Sequence, residues 1–453
     1  MLKAKLPLSL VLLAHVIGAV ILLWPAWING YPLLFSDTNA FIAQSLKGHF
    51  VWDKPYFYGP TLIALHVKTS LWIPLLAQAL IVVNAIWLLM LSIGRQTVSY
   101  LLLSCSVLSI ATALPWFTAF LMPDIFSGIT VIALYVVAFG DRLKWWIRVW
   151  AGMLAVLAIG VHLTHLPIAL ACLVAVLLFS LKRAIYVLTV IAVTFGIWIT
   201  ANGLAFKQYA LSPHGSVFML ARLAADGHVE PVLKAQCDNQ PWKLCAWQGK
   251  LPADSDDFLW KPDGPVWTYP GGPIALSPEA KLIIRQALAN NPVGVGISAT
   301  TNALDQMTKI RLGDTLTSIW LDETVGKYLR EYFPKDEYDR FKSSLQAQDK
   351  LLGYATPLNP AHLIAVLVGL LATIYLTILA WRRGQKPISA LGLMVILGLI
   401  ANGVATGALS KPHDRYQTRM AWLLVACPIW MAGSMRRPEQ VDYFKTSIGD
   451  IRR

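Results

Sequence analysis

Long apolar runs separated by short charged connectors make up most of the chain. Ten of these runs are roughly 17 to 25 residues long, the length that a helix needs to cross a bilayer. The predicted spans cover residues 6–25, 71–93, 98–116, 124–140, 147–163, 166–181, 184–203, 359–381, 387–408 and 418–434. We therefore predict an all-α polytopic membrane protein with about ten transmembrane helices.

Two polar segments, residues 26–70 and 204–358, interrupt this apolar pattern. We expect residues 1–203 to hold spans one to seven, with 26–70 as a first periplasmic loop that carries catalytic residues. Residues 204–358 are expected to form a mixed, mostly helical periplasmic module between spans seven and eight. Residues 359–453 then hold spans eight to ten and a cytoplasmic tail.

The module contains two predicted helices. Ser277 is a candidate N-cap residue, with Pro278 at the first helical position of a run over 277–291. A second helical run covers 314–332. Residues 237–273 are rich in Pro, Gly and Trp without a clear period, and we expect irregular structure there.

Composition agrees with a membrane protein, since 56% of the residues are hydrophobic and only 14% are charged, against roughly 25% in soluble domains. The formal net charge is +13. Residues 206–357 contribute 16 Lys and Arg against 17 Asp and Glu, so the basic excess belongs to the apolar parts. A membrane protein keeps such residues in its cytoplasmic loops. The excess therefore indicates orientation and does not indicate a nucleic-acid partner.

One set of connectors carries nearly all of this basic charge. Its members are Lys3, Lys5, Arg95, Arg142, Lys144, Arg148, Lys182, Arg183, Arg382, Arg383, Lys386, Arg436, Arg437, Lys445, Arg452 and Arg453. We predict a multi-pass protein of a bacterial inner membrane, with both termini cytoplasmic and both polar segments periplasmic. No small-residue cleavage pattern follows the first span, so we expect that span to be retained.

The cysteines fit this orientation. Cys237 and Cys245 stand eight apart in the polar module, and we predict a local disulfide, which would persist in the periplasm. Zinc binding is the alternative, although neither a CxxC pattern nor a nearby pair of His residues supports it. The other cysteines, Cys105, Cys172 and Cys427, lie inside predicted spans and are expected to be core residues.

Common catalytic motifs are absent from the sequence, which contains no Walker loop, HExxH or GxSxG pattern. Asp254-Ser-Asp256 has the Asp-x-Asp spacing of nucleotide-sugar transferases, but an acidic loop of this length often contains that spacing by chance. We therefore interpret it as a solvated or locally structural acidic turn. The module also carries aromatic residues that either stack on carbohydrate or form the module's own core: Trp242, Trp247, Trp260, Trp267 and Tyr269.

The informative polar residues are those on the predicted outer side within reach of the membrane, where ionisable groups are costly and suggest function. The acids are Asp37, Asp53, Asp124 and Asp414, and the bases are Lys47, Lys54, Lys68, Lys411, Arg415 and Arg419. His162 and His165 are three apart and share one helical face. A structural alternative stays open for two of the acids. Asp37 could cap a short helix that ends at Gly48, and Asp124 could favour the dipole of span four.

Several of these segments resemble one family. The run SDTNAFIAQSLKGHFVWDKPYFYGPTL over 36–62 resembles the first external loop of GT-C glycosyltransferases, especially the lipid A aminoarabinose transferase and protein O-mannosyltransferase branch. Met122-Pro123-Asp124 resembles the Pro-Asp of that family, and Asp414-Arg415-Tyr416 resembles its Arg-Tyr. HLTHLPIAL over 162–170 is similar to the Thr-Lys-Gly-Pro stretch, with His165 where the family has Lys. The resemblance does not extend to 204–358.

The resemblance implies an inverting enzyme that uses a polyprenyl-phosphate sugar and an envelope lipid, glycan or protein as acceptor. It implies Asp37 as general base and Asp124 as a second carboxylate that orients the acceptor or a divalent metal ion. Lys54, His165, Arg415 and Arg419 are then expected to bind the lipid phosphate. Further site candidates are His162, Tyr56, Tyr58, Lys411, His413 and Tyr416. A divalent metal ion at Asp37 and Asp124, or at the two His residues, is left open.

Three other functions remain as alternatives. A transporter or flippase would place charge or broken helices near the midplane and show two related halves, whereas charge here lies on one side. An O-antigen polymerase or ligase also has many spans and a large periplasmic loop. A non-catalytic assembly subunit is the third alternative.

Overall fold

The structure, a computed structural model, describes residues 7–435, and all of its regular elements in that range are helices. The first part of the chain contains α1 Leu8–Leu22, α2 Trp24–Asn29, α3 Thr38–Lys47, α4 Tyr58–Thr61, α5 Trp72–Ser92, α6 Val98–Ala111, α7 Leu114–Thr118, α8 Phe126–Phe139, α9 Trp145–Gly160, α10 His165–Leu177 and α11 Leu181–Phe206. The middle part contains α12 Ser216–Ala225, α13 Glu230–Gln236, α14 Ser255–Trp260, α15 Pro265–Thr268, α16 Gly272–Asn290, α17 Pro292–Thr308, α18 Lys327–Tyr332, α19 Lys335–Ser343 and α20 Leu352–Ala355. The last part contains α21 Asn359–Arg382, α22 Lys386–Leu409 and α23 Asp414–Met435. Short 3₁₀ segments occur at Ile63–His66, Pro123–Ile125, Lys243–Trp247 and Thr356–Leu358. A π turn, which is wider than an α-helical turn, occurs at Asp322–Gly326.

Within residues 7–435, four helical runs are long and apolar enough to cross a membrane. They are Trp72–Ser92, Leu181–Phe206, Leu352–Arg382 and Lys386–Leu409. Shorter apolar helices include α1, α6, α9 and α10. The prediction of an all-helical protein is therefore confirmed for the described residues, with four candidate membrane-spanning helices. The number of ten spans stays a prediction. The expected cytoplasmic termini, with Lys3, Lys5, Arg436, Arg437, Lys445, Arg452 and Arg453, lie outside the described residues.

Helix ends follow local signals at several positions. Ser180 caps α11, because its hydroxyl accepts a hydrogen bond from the Arg183 backbone N–H. Helix α3 ends at Gly48, whose φ of 62° lies in the left-handed region that glycine adopts at low cost. The short helix predicted to end at Gly48 is thus confirmed.

The signals inside the module were weaker guides. The Ser277 cap prediction is wrong, because α16 begins at Gly272 and Pro278 lies inside it. The Ser277 hydroxyl instead lies 2.9 Å from that of Ser216 and joins α16 to α12. The predicted 314–332 helix is regular only from the π turn onward.

Two hydrophobic cores organise the described residues. The larger one unites the apolar helices and extends into residues 312–355 of the polar module. The smaller one is confined to residues 217–295, with Trp52 of the first loop packed against it. The polar module is therefore physically divided between the two cores.

Buried polar contacts attach residues 335–346 to the first loop. The Tyr31 hydroxyl donates to the Glu337 carboxylate at 2.7 Å. The Gln346 side chain accepts from the Leu34 N–H at 3.0 Å and donates to its carbonyl at 2.7 Å. Because buried polar groups need such partners, these bonds hold the loop in one position over the helices.

The predicted cysteine chemistry is confirmed. Cys237 and Cys245 form a disulfide across eight residues. Cys105, Cys172 and Cys427 are free and buried among apolar side chains.

Candidate active site

The first loop, residues 26–70, is anchored beside the chain segment that leads into α8. Leu33 pairs with the segment at Phe120, donating to the Ala119 carbonyl at 3.0 Å and accepting from the Leu121 N–H at 2.9 Å. The Thr38 hydroxyl donates to the Leu121 carbonyl at 3.2 Å. These bonds bring the start of α3 close to the chain segment that leads into Asp124.

Asp37 stands directly before α3, but its carboxylate makes no capping bond to the helix. It lies 3.0 Å from the ammonium group of Lys54, which also lies 2.7 Å from Asp53. The capping alternative for Asp37 is therefore wrong. The side chain is still 29% exposed, against 13% for Lys54 and 6% for Asp53, so Asp37 is the carboxylate that a ligand can reach.

Lys54 carries a firmly held positive charge. Burial lowers the pKa of its ammonium group, but the neighbouring charges of Asp37 and Asp53 outweigh that effect and raise the pKa above its usual value. The ammonium group is thus fixed between two carboxylates at the edge of the site.

Asp124 forms the second half of the site. It lies in the 3₁₀ turn that leads into α8 and is 2% exposed. Its carboxylate oxygen is 3.3 Å from an Arg419 guanidinium nitrogen and 3.6 Å from Nε of Arg415. Its main partners are therefore two cations on the first turns of α23. An interaction between this carboxylate and the dipole of α8 is not needed to explain its position.

Arg419 is fully buried and held by neutral partners as well. Its guanidinium group donates to the Thr164 hydroxyl and to the Asn402 side-chain carbonyl, both at 2.9 Å. Asn402 in turn donates to the Tyr416 carbonyl at 2.6 Å. Helices α10, α22 and α23 thus meet around one guanidinium group.

Several buried nitrogens of this cluster have no hydrogen-bond partner. They are Nε and one terminal nitrogen of Arg415, Nε of Arg419 and Nε2 of His165. The Arg415 guanidinium group lies over the rings of Phe35 and Tyr416, at 4.6 and 5.0 Å. Because buried donors are normally paired, the unpartnered guanidinium N–H groups of Arg415 and Arg419 retain the capacity to donate to an acceptor that a ligand would supply.

His165 is oriented in a way that limits its role. Its Nδ1 lies 2.6 Å from the Ala158 carbonyl oxygen, which can only accept, so Nδ1 carries the proton. In the neutral ring, Nε2 is then an acceptor and suits a substrate hydroxyl. It can donate to a phosphate only after the ring has gained a second proton.

His162 joins the two halves of the site. Its ring centroid is 5.4 Å from that of His165, and Nδ1 lies 2.8 Å from the Thr164 hydroxyl. Lys54 and Arg415 lie close enough for their charges to act on the His162 ring. The predicted phosphate-binding lysine and both arginines therefore lie within electrostatic range of the His162 ring.

The same donor set does not suit a resident metal ion. Asp37 and Asp124 each bind a cationic side chain. Over residues 7–435 no group of three or more His, Cys, Asp or Glu side chains could hold a metal ion. We derive no catalytic step through a metal.

The three tyrosines among the remaining candidates lie in different environments. Tyr416 belongs to the cluster, with the Arg419 guanidinium group 5.2 Å from its ring. Tyr58 is buried, and its hydroxyl donates to Gln78 at 2.6 Å, so it is a packing residue. Tyr56 stacks on Phe50 with ring centroids 4.1 Å apart.

Lys411 contacts the module, whereas His413 contacts both the module and Tyr416, whose ring centroid lies 5.5 Å from its own. Lys411 lies 2.6 Å from Asp254 and 3.2 Å from Asp256, and His413 lies 3.2 Å from Asp256. Burial lowers the pKa of His413, but the nearby carboxylates of Asp256, at 3.2 Å, and Asp314, at 3.6 Å, raise it to about 10. Asp254 also caps α14 by accepting from the Asp256 N–H. The contacts favour the structural interpretation of the Asp-x-Asp segment.

Sequence reasoning missed Thr164, Asn402 and Asp314 as parts of the site. Asn402 had a usable signal, since it is an amide in the middle of an apolar helix. Asp314, which accepts from the Arg415 backbone N–H at 3.1 Å, had none. Comparison with protein-family models, curated proteins and solved structures found no match to this chain.

Proposed function

We propose that the protein is an inverting glycosyltransferase of the GT-C type. It would move a sugar from a polyprenyl-phosphate donor to an envelope lipid, glycan or protein on the periplasmic face of a bacterial inner membrane. The observation that carries this proposal is the set of buried guanidinium N–H groups on Arg415 and Arg419 without a protein acceptor, beside two carboxylates. A phosphate would satisfy those groups.

The leaving group suits this cluster. As the bond between the anomeric carbon and the phosphate oxygen breaks, negative charge grows on the phosphate. Open guanidinium and ammonium donors stabilise that charge more in the transition state than in the ground state. Arg415 and Lys54 are the groups assigned to this task. Asp124 holds the two arginines in place, a role that follows from its burial against both.

The accepting hydroxyl requires a base on the opposite side. Asp37 is assigned here, because it is the least buried carboxylate of the cluster and makes no bond to α3. The proton of the acceptor hydroxyl passes to the Asp37 carboxylate as oxygen attacks the anomeric carbon. The products are the glycosylated acceptor and polyprenyl phosphate.

The proposal includes about ten spans, cytoplasmic termini and a periplasmic site. The disulfide between Cys237 and Cys245 supports a periplasmic module, because such bonds persist in oxidising compartments. A reporter enzyme fused after residue 250 should be active in the periplasm. Cytoplasmic activity of that fusion would overturn the topology and the site assignment together.

The decisive experiment is a donor assay with purified protein in lipid nanodiscs. A panel of polyprenyl-phosphate hexoses, supplied with host envelope extract, should yield free polyprenyl phosphate, while nucleotide sugars should not be consumed. Arg415→Ala should abolish release, and Arg311→Ala, an exposed arginine whose backbone lies near Asp414, should not. In a parallel assay with sealed proteoliposomes, movement of intact donor across the bilayer without cleavage would favour the transporter alternative.

A further inference from the structure

The aromatic residues of the module do not share one environment. Trp242 and Trp247 pack against the module's own core. The Tyr269 hydroxyl donates to Glu279 at 2.8 Å. Trp260, the last residue of α14, is instead 41% exposed, although it lies where the module meets the first loop. It is the member of this set that is placed beside the candidate active site.

We propose that Trp260 is the stacking platform for the pyranose ring of the donor, and therefore a residue that determines donor specificity. This inference rests on the proposed function. Its direct basis is that the Lys54 ammonium group lies 5.8 Å from the centroid of the Trp260 ring and 3.0 Å from Asp37.

The position of the ring indicates that Trp260 would contact the sugar of the donor and not the acceptor. The sugar is bonded directly to the phosphate, so it must lie next to whichever cation binds that phosphate. The Lys54 ammonium group lies 3.0 Å from the predicted base and 5.8 Å from the centroid of the indole ring, so a sugar bonded to a phosphate at Lys54 would lie beside Trp260. The C–H groups of a pyranose face pack on an aromatic surface as other apolar groups do.

Contacts with neighbouring rings and at the start of α14 hold Trp260 in this position. Its ring lies 6.2 Å from that of Trp52 and 6.0 Å from that of Phe218, measured between centroids. At the other end of α14, Asp254 binds Lys411 at 2.6 Å. A platform that is already oriented binds a ligand without the entropy cost of ordering a free side chain.

Trp267 offers a matched control. It belongs to the same module and is 47% exposed, so its removal takes away a similar amount of aromatic surface. Its indole N–H donates to the Leu259 carbonyl at 2.9 Å, a contact that lies within the module itself.

The test measures binding of two defined lipids to purified protein in nanodiscs, namely polyprenyl phosphate and polyprenyl-phosphate glucose. The ratio of their dissociation constants isolates the contribution of the sugar. We expect Trp260→Ala to reduce the preference for the sugar-bearing lipid by about tenfold, the upper end of what one aromatic contact contributes. Trp260→Phe should keep most of the preference, and Trp267→Ala should keep all of it.

The outcomes separate this inference from the function on which it rests. If the parent protein releases polyprenyl phosphate and Trp260→Ala keeps the parent's preference, Trp260 is not the donor platform and the proposed function stands. The same conclusion holds if Trp267→Ala loses as much, or if Trp260→Ala slows transfer without changing the binding ratio. If the parent neither binds nor cleaves any sugar-bearing lipid, both proposals fail.

Discussion

Replacing Asp37 by Asn removes a proton acceptor while it keeps the size of the side chain. The structure predicts little effect on folding, because the carboxylate makes no bond to α3 and Lys54 retains Asp53 as a partner at 2.7 Å. A partly exposed ion pair is worth at most about 1 kcal/mol. Asp37→Asn should therefore express and unfold like the parent.

The effect on transfer should be much larger. A positioned general base contributes roughly 10²- to 10⁴-fold in rate, which corresponds to about 3 to 5 kcal/mol in the activation barrier. In an assay of polyprenyl phosphate release at saturating donor, Asp37→Asn should lose activity in that range. Binding of the donor should persist, since Arg415, Arg419 and Lys54 are unchanged.

Asp53→Asn is the matched control. Both carboxylates contact the same ammonium group, but Asp53 is nearly buried whereas Asp37 can be reached by a ligand. If Asp37 acts only by positioning Lys54, the two variants should lose similar amounts of activity. Equal losses, or full activity of Asp37→Asn, would refute the assignment of the base.

Three further predictions follow from the contacts. Asp124→Asn removes the carboxylate that pairs with two buried guanidinium groups, so we expect a loss of about 3 kcal/mol in stability. The variant should show a lower thermal midpoint and reduced transfer. An unchanged midpoint would contradict the buried pairing. The raised pKa of His413 means that its ion pairs stabilise the fold fully below its unfolded pKa of about 6.5, and that this contribution is lost as pH rises through about 10. The slope of thermal stability over that interval should therefore be smaller in His413→Gln, and identical slopes would argue against the pairing with Asp256. Reduction of the bond between Cys237 and Cys245 should destabilise the module by about 2 to 3 kcal/mol, visible as faster proteolysis, and no change in proteolysis would show that the bond is dispensable.

The family resemblance and the structure address different parts of the site. The resemblance selected Asp37, Lys54 and Asp124 from short motifs. The structure pairs Asp37 with Lys54 and brings both Asp37 and Asp124 within electrostatic range of Arg415. It assigned a phosphate role to His165, whose hydrogen bond to Ala158 leaves Nε2 as an acceptor in the neutral ring. Lys411, a further site candidate, forms an ion pair with Asp254 instead.

The sequence by itself determined those features that depend only on residues close together in the chain. Apolar length predicted the helical membrane segments, a glycine predicted the end of α3, and a separation of eight residues predicted the disulfide. Each of these signals acts within a few turns of chain. The Ser277 cap failed for the opposite reason, because packing of α16 on α12 overrode a local preference.

Only the tertiary structure decided which charges are partners. Asp124 and Arg419 are 295 residues apart in the chain, and their contact exists because α23 packs beside the start of α8. Thr164 and Asn402 complete the site from two other helices. The division of the polar module between two cores has the same origin. Hydrophobic periodicity shows that a helix has a buried face, but it carries no information on which helix covers that face.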